Sequence, residues 1–295
     1  MVDLHTHSTA SDGTLTPTEL VEVCRAEGVT TVALTDHDTI EGVEEAAAAG
    51  AARGVTVIAG IELEIEYFAP GAFHLLGLGL TRRSSELTSF LCEVHTMRTD
   101  RNARMVERMQ AAGIAVHEDE IAEFAGGDVL ARPHFAQFLV ERGIARSIQE
   151  AFDRYLGDGK LFYEPKGASS LEEAAAVVHS AGGVAVVAHP KTLFLSISSL
   201  RERLREWKRQ GLDGVEAYHS NARLTDCRKI EAVAREEGLM VSAGSDYHGP
   251  QRADRRLGRT AEGIAIEHRF ASDYSPWPVP SGPIPTAPTQ TGGPP

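Results

Sequence analysis

The segment Val2-Asp3-Leu4-His5-Thr6-His7 joins a short apolar run to two histidines that are two residues apart. Alternate residues of a strand point to the same side, so both imidazoles are expected to face one side. Two neutral imidazoles at this spacing suit one divalent ion. Alone, such a pair is as readily a chance surface feature, so its meaning depends on how the other strands end.

Outward from this segment, short apolar runs alternate with amphipathic stretches. Thr16-Pro17-Thr18-Glu19 has the residues of a capping box with proline in the first turn, which predicts a helix that ends at Gly28. Strands are predicted at 29–34 and 55–59, with a helix over 40–53 between them. This alternation of strands and helices predicts a mainly parallel sheet that closes into a barrel.

The alternation stops between residues 84 and 166, where the hydrophobic period is helical. A further strand pair is predicted just before this stretch, at 61–67 and 73–78, and the alternation resumes after it. We therefore predict a barrel made of residues 1–83 and 167–269, interrupted by a helical insertion over 84–166. Residues 270–295 are rich in Pro, Gly, Ser and Thr and are expected to form a disordered tail.

The composition limits the classes of function. The 295 residues carry a formal net charge of -13, which disfavours a protein that wraps duplex DNA through a broad basic face. No apolar run approaches the length of a membrane span, and no secretory signal is predicted at the N-terminus. Cys24, Cys92 and Cys227 are widely spaced, which indicates reduced thiols. We therefore expect a cytoplasmic protein with no membrane partner.

Four other predicted strands lead into histidine or acidic residues. These follow the strands as Thr35-Asp36-His37-Asp38, Gly60-Ile61-Glu62, His189 and Ser245-Asp246-Tyr247-His248. Each motif has a simpler interpretation, since Asp36 and Asp38 could cap the next helix and His74, at the start of its strand, could be a core histidine. Because the carboxyl ends of barrel strands meet at one mouth, the five together favour a single metal site there.

The order HTHSTASDG, TDHDT, GIE, AHP and GSDYH resembles the PHP family, named for polymerase and histidinol phosphatase. The match extends over nearly all of residues 1–258 once the insertion is allowed for. ARPHFAQFLVERG and AAAVVHSAGGVAVVAHP are similar to a bacterial subgroup that acts on nucleoside 3′,5′-bisphosphates and trims short RNA from the 5′ end. The resemblance implies an α/β fold, a distorted (β/α)7 barrel with an inserted helical subdomain.

The resemblance also implies two or three divalent metals, with manganese favoured and iron or zinc as alternatives. Mixed carboxylates and imidazoles suit all three metals. We assign Glu62, His189 and Asp246 to the catalytic centre. The implied ligands are His5, His7, Glu62 and Asp246 for the first metal, Glu62, His74 and His189 for the second, and Asp12, His37 and His248 for the third.

The insertion is expected to recognise the substrate. By resemblance, Arg132, His134 and Lys166 would hold a second phosphate, which a guanidinium can bind through two parallel hydrogen bonds. His219 follows a strand and either contacts substrate or is a hydrogen-bonded loop histidine. Ser220 and Asn221 are weaker candidates for substrate contact.

One stretch departs from the family pattern. Lys191-Thr192-Leu193 follows the His189-Pro190 pair, where the family often has glycine or a short Arg-Tyr sequence. Because of this departure, the residues that line the substrate site next to His189 are not predicted by the family pattern. The predicted metal site is unaffected.

We predict a metal-dependent phosphoesterase that removes the 3′-phosphate of nucleoside 3′,5′-bisphosphates, by attack of a metal-bridging hydroxide. Its partner would be a small nucleotide or a short RNA. The alternatives are a histidinol-phosphate phosphatase, which the insertion with Arg132 and His134 disfavours, and a catalytically silent PHP scaffold module, which the full ligand set disfavours. The sequence does not decide the metal, the oligomeric state, the general acid, or between bisphosphonucleotide and short RNA.

Overall fold

The computed structural model describes residues 1–124, 130–165, 167–252, 254–260 and 262–272. Seven strands form one sheet in the order of the chain. They are β1 (Val2–Thr6), β2 (Thr31–Leu34), β3 (Thr56–Ile65), β4 (Phe73–Leu78), β5 (Val184–Val187), β6 (Gly214–His219) and β7 (Met240–Gly244).

The sheet is a nearly closed barrel. β4 runs antiparallel to both neighbours, and the other neighbouring strands are parallel. The edges β1 and β7 meet where the His7 N–H donates to Tyr247 O at 2.8 Å and the Asp246 N–H donates to His5 O at 2.9 Å. The predicted mainly parallel barrel is therefore confirmed, and its closure brings the ends of β1 and β7 together.

Helices cover the outside of the barrel and fill the stretch between β4 and β5. They are α1 (Pro17–Glu27), α2 (Val43–Arg53), α3 (Ser85–Ala111), α4 (Glu118–Ala122), α5 (Arg132–Glu141), α6 (Ile148–Ala151), α7 (Leu171–Ser180), α8 (Ile197–Arg209), α9 (Leu224–Glu236) and α10 (Arg269–Ser272). A π-helical turn, Phe152–Leu156, continues α6, and a 3-10 turn, Pro190–Leu193, follows β5. Within the described ranges, none of the helices combines the length and apolar character needed to cross a membrane.

The start of α1 follows the predicted capping box. The Thr16 side chain accepts from the Glu19 N–H, the Glu19 side chain accepts from the Thr16 N–H at 2.8 Å, and Gly28 ends the helix with a left-handed φ of 78°. The third strand differs from the prediction, because β3 is continuous across Gly60. A Cβ at Gly60 would lie 2.7 Å from Thr35 Cγ2 and 3.0 Å from Leu34 O, so this glycine permits close strand packing and does not end the strand.

The stretch between β4 and α7 has an apolar cluster separate from that of the barrel. Its largest members are Phe135, Phe138 and Phe162, all buried. We retain residues 84–166 as a proposed helical subdomain. Residues 125–129 and Lys166 lie outside the described residues.

The predicted boundary of the disordered tail, at residue 270, lies too early in the chain. Phe270 is buried in α10, and its ring centroid lies 5.0 Å from that of Tyr218. The prediction of disorder is therefore wrong for residues 270–272, because an aromatic side chain there completes the barrel core. Residues 273–295 lie outside the described residues.

Candidate metal centre

Glu62, on β3, lies at the middle of a cluster of histidines at the barrel mouth. Its Oε1 is 2.8 Å from His74 Nδ1 and 3.0 Å from His189 Nε2. Its Oε2 is 3.2 Å from both His7 Nε2 and His37 Nδ1. Burial opposes ionisation, but interactions with the surrounding histidines hold the pKa of Glu62 well below its usual range. The carboxylate therefore faces two sets of imidazoles, one from each oxygen, as a bridging ligand does.

Three side chains, His5, His7 and Asp246, converge on Glu62. His5 Nε2 and His7 Nε2 lie 3.1 Å apart, and Asp246 Oδ1 is 3.4 Å from the first and 3.2 Å from the second. Glu62 Oε2 completes this group of possible metal ligands, whose members are all buried. Imidazole nitrogens and carboxylate oxygens around one point are a typical donor set for a divalent ion.

A second group surrounds Asp12. Its Oδ1 lies 3.3 Å from His248 Nε2, 3.8 Å from His37 Nε2 and 3.9 Å from His7 Nδ1. Burial lowers the pKa of His37 to about 3, despite the opposing charges of Glu62 and Asp12, so this imidazole is neutral as a metal ligand must be. The prediction grouped Asp12, His37 and His248, and the structure adds His7 to them.

Three buried polar atoms at the mouth have no hydrogen-bond partner among the described residues. Glu62 Oε2 and His7 Nδ1 belong to the two groups above, and His219 Nε2 faces Asp246. Buried polar atoms are nearly always satisfied in folded proteins. A metal ion at each group would supply the missing partner, so the residues present fit divalent metals.

Glu216, on β6, supports the cluster from below and was missed by the sequence interpretation. Its Oε1 lies 3.1 Å from His5 Nδ1, and its Oε2 accepts from the His189 N–H at 2.7 Å. The side chain is completely buried. The available signal was an acidic residue inside the apolar run Gly214–His219, where no solvent exposure was expected.

The aspartates beside His37 have other roles than the helix capping considered above. Asp36 accepts from the Ser8 N–H at 2.7 Å and from the Ser11 hydroxyl at 2.6 Å, which holds the loop after His7 in place. Asp38 has a left-handed φ of 55° and is paired with Arg98. Since α2 has Gly42 as its N-cap, neither aspartate caps that helix.

His219 lies in the cluster itself. Its Nε2 is buried and 3.4 Å from Asp246 Oδ2, while its Nδ1 accepts from the Asn221 N–H at 3.0 Å. Ser220 is buried beside it, whereas Asn221 is exposed. Arg255, a second residue missed from sequence, donates to Asp246 O at 3.0 Å and to the Asp246 carboxylate.

The insertion contributes Arg132 and His134 from the start of α5. The Arg132 guanidinium lies over the Tyr163 ring, 5.8 Å from its centroid, and 3.7 Å from the Asp158 carboxylate. His134 is buried and its Nδ1 accepts from the Ala131 N–H at 3.1 Å. Burial lowers the pKa of His134, with the charge of Asp12 acting against it, so this imidazole is neutral. The third predicted phosphate contact, Lys166, lies outside the described residues.

Two arginines of α3 extend this basic cluster, and the sequence interpretation missed both. Arg98 and Arg101 are only 6% and 3% exposed. Burial and the charges of neighbouring arginines lower the pKa of each to about 10. Arg98 is paired with Asp38, but Arg101 donates only to Asn102 Oδ1, at 2.7 Å, and forms no ion pair within the described residues. A buried guanidinium without a carboxylate partner is costly, so it favours an external anion.

Possible metal ligands beside buried arginines suit the hydrolysis of an anionic ester, and the barrel with this mouth is that of a metal-dependent phosphoesterase. The model of the PHP domain matches residues 3–162, more than half of the chain. The chain belongs to the PHP family, as its motifs indicated.

The similarity to known relatives extends over most of this chain. A 3′,5′-nucleoside bisphosphate phosphatase of Chromobacterium violaceum is 34% identical over 262 residues, which are 88% of this chain and 92% of that protein. A 5′-3′ exoribonuclease of Haemophilus influenzae is 35% identical over 248 residues, 84% of this chain and 90% of that protein. A crystal structure from Bifidobacterium adolescentis, named as a candidate metal-dependent phosphoesterase, has a TM-score of 0.79 at 29% identity and covers 92% of this chain and 94% of its own.

Proposed function

We propose that this enzyme hydrolyses the 3′-phosphate ester of nucleoside 3′,5′-bisphosphates and the equivalent bond at the 5′ end of short RNA. The observation that carries the proposal is the pairing of two anion sites, the metal groups at the mouth and the buried arginines Arg98 and Arg101 with Arg132. A nucleotide with two phosphates can occupy both. The names of the Chromobacterium and Haemophilus relatives support the same two substrates.

Divalent ions, with manganese favoured and iron or zinc as alternatives, would supply a water of lowered pKa and neutralise the phosphoryl oxygens. Glu62, His189 and Asp246 form the catalytic centre of the proposal. The ligand sets are His5, His7, Glu62 and Asp246; Glu62, His74 and His189; and Asp12, His37 and His248.

The residues of the insertion hold the phosphate that is not hydrolysed. Arg101 and Arg132 provide guanidinium donors, which bind phosphate oxygens through charge-assisted hydrogen bonds. Because His134 Nδ1 accepts from the Ala131 N–H, the proton of its neutral ring is on Nε2, which can donate to a phosphate oxygen. Lys166 remains a proposed third contact on this phosphate.

The strand ends orient the phosphate that is hydrolysed. The bond between phosphorus and the 3′-oxygen breaks, an oxygen from water bonds to phosphorus, and the 3′-oxygen gains a proton. His219 accepts on Nδ1, so its Nε2 carries a proton toward the cluster and is placed to contact the substrate. Ser220 and Asn221 are retained as weaker candidates for contact with the nucleotide.

The site and the composition support a small nucleotide or a short RNA as the partner, in the cytoplasm. All three cysteines are free, as expected in a reducing compartment. A histidinol-phosphate substrate, with a single phosphate, would leave Arg101 without an anion.

Phosphate release from adenosine 3′,5′-bisphosphate by the purified, manganese-loaded protein tests the proposal, with adenosine 3′-monophosphate and histidinol phosphate as comparisons. We expect the bisphosphate to be hydrolysed with the highest kcat/KM and to yield adenosine 5′-monophosphate. Absence of phosphate release with metal bound, or equal turnover of all three compounds, would refute it.

A further inference from the structure

The two most exposed large apolar side chains of the described residues are both aromatic, and both follow strands that end at the barrel mouth. Phe68 is 91% exposed in the loop after β3, and Phe194 is 77% exposed just after the turn that follows β5. The next in exposure, Leu161, is 57% exposed and lies in the insertion. Exposed apolar surface near a functional site can mark a place where a ligand binds.

The turn that carries Phe194 is fixed to the metal cluster. His189 Nδ1 lies 3.0 Å from Thr192 Oγ1, which donates to Ala72 O at 2.8 Å. His189 Nε2, at the other side of the ring, lies 3.0 Å from Glu62 Oε1. The same turn packs on the loop of Phe68, because a Cβ at Gly71 would lie 2.1 Å from Thr192 O. These contacts therefore fix the position of the Phe194 backbone relative to the predicted ligand His189.

Phe194 also has an unusual backbone conformation. Its φ of 52° lies in the left-handed region, which a bulky residue rarely adopts. The ring covers Gly71, since its Cδ2 is 3.0 Å from the position of a Cβ there, yet most of its surface stays in solvent. A strained residue that holds an aromatic ring in water points to a role outside folding.

The aromatic pair and the buried arginines lie at different strand ends of the mouth. Arg98 is paired with Asp38, which follows β2, whereas Phe194 follows β5. Glu62, between them on β3, faces the cluster of predicted ligands. In the proposed function, a nucleoside bisphosphate extends from the arginines to the metal groups. The β5 side of the mouth is then available to the nucleotide that follows the hydrolysed phosphate in an RNA substrate.

We propose that Phe194 and Phe68 stack on the base of the nucleotide that follows the hydrolysed phosphate in a single-stranded RNA substrate. The proposal rests on the proposed function and adds the residues that make RNA, as well as a mononucleotide, a substrate of this chain. Stacking on aromatic side chains tolerates any base, which suits removal of successive nucleotides.

The test compares two substrates in the manganese-loaded, full-length enzyme. Adenosine 3′,5′-bisphosphate has no base beyond the hydrolysed phosphate, whereas a 5′-phosphorylated diadenylate has one. The variants are Phe194→Ala, Phe68→Ala and the double variant. Ile264→Ala is the matched control, because Ile264 is 42% exposed and lies near Ile266, whose carbonyl accepts from the Val2 N–H at the opposite end of β1.

We expect Phe194→Ala to lower kcat/KM for the dinucleotide roughly 5- to 100-fold, the range for loss of one base stack, and to change the bisphosphate rate less than twofold. A dinucleotide with an abasic second position should be hydrolysed equally by the wild type and the variant. Equal losses on both substrates, or no loss on the dinucleotide, would overturn the stacking role. A wild type active only on the bisphosphate would also overturn it, whereas inactivity on both substrates would refute the proposed function itself.

Discussion

The Glu216 carboxylate lies 3.1 Å from His5 Nδ1, on the side of the imidazole away from His7 and Glu62. A carboxylate at Nδ1 holds the proton there and leaves Nε2 free for a metal ion. The other oxygen of Glu216 accepts from the His189 N–H, so one buried side chain fixes a predicted ligand from β1 and another from β5. Glu216 is thus a positioning residue of the candidate metal centre.

Replacement of this carboxylate should weaken metal binding. We expect Glu216→Gln to lower manganese affinity roughly 10- to 100-fold, as is typical for loss of a partner behind a metal-binding histidine. Titration calorimetry of the metal-free protein measures it, with the exposed Glu172→Gln as control. Unchanged affinity in a folded Glu216→Gln protein would show that His5 needs no such partner.

Arg101 should matter for substrate rather than for folding. Arg101→Met is expected to raise KM for adenosine 3′,5′-bisphosphate roughly 10- to 100-fold, because a hydrogen-bonded charge on the phosphate is lost. The same variant should keep or raise the melting temperature, since it removes a buried cation that forms no ion pair within the described residues. A lower melting temperature with unchanged KM would assign Arg101 a purely structural role.

Metal binding should release protons and therefore depend on pH. Without metal, hydrogen bonds to Asp246 and Glu62 outweigh burial and raise the pKa of His7 to about 10. The raised pKa stabilises the metal-free fold fully below pH 6.5, and this contribution is lost as the pH rises through 10. Protonated His7 cannot bind metal.

The rise in melting temperature on adding manganese should therefore be larger at pH 8 than at pH 6.5. Thermal melts with manganese and with a chelator, at both pH values, measure the difference. A rise of equal size at both would show that no imidazole proton is displaced. His117→Gln is a suitable control, because His117 caps α4 in the insertion.

Asp246 should be needed for activity through the metal. Its carboxylate faces His5 and His7 through one oxygen and Arg255 through the other. We expect Asp246→Asn to abolish phosphate release and lower the number of bound metals, as measured by elemental analysis. If the variant lost activity but kept its full metal content, Asp246 would have a catalytic role other than metal binding.

The barrel and the candidate metal ligands could be predicted from the sequence because both depend on local patterns along the chain. A strand that ends in His5-Thr6-His7 or Asp246-Tyr247-His248 carries its site residues at a position that the fold type alone brings to the mouth. Arg98, Arg101 and Arg255 could not be found in this way, because their role depends on long-range packing that no local pattern encodes. Glu216 had a local signal, an acidic residue inside an apolar run, but only the packing of β6 shows which histidine it contacts.

The most direct test of the central claim is anomalous diffraction from crystals grown with manganese and adenosine 5′-monophosphate, the expected product. The account predicts manganese peaks within coordination distance of Glu62, with the 5′-phosphate on Arg101 and Arg132. Manganese bound away from Glu62, or a phosphate that avoids the arginines in the presence of bound metal, would contradict it.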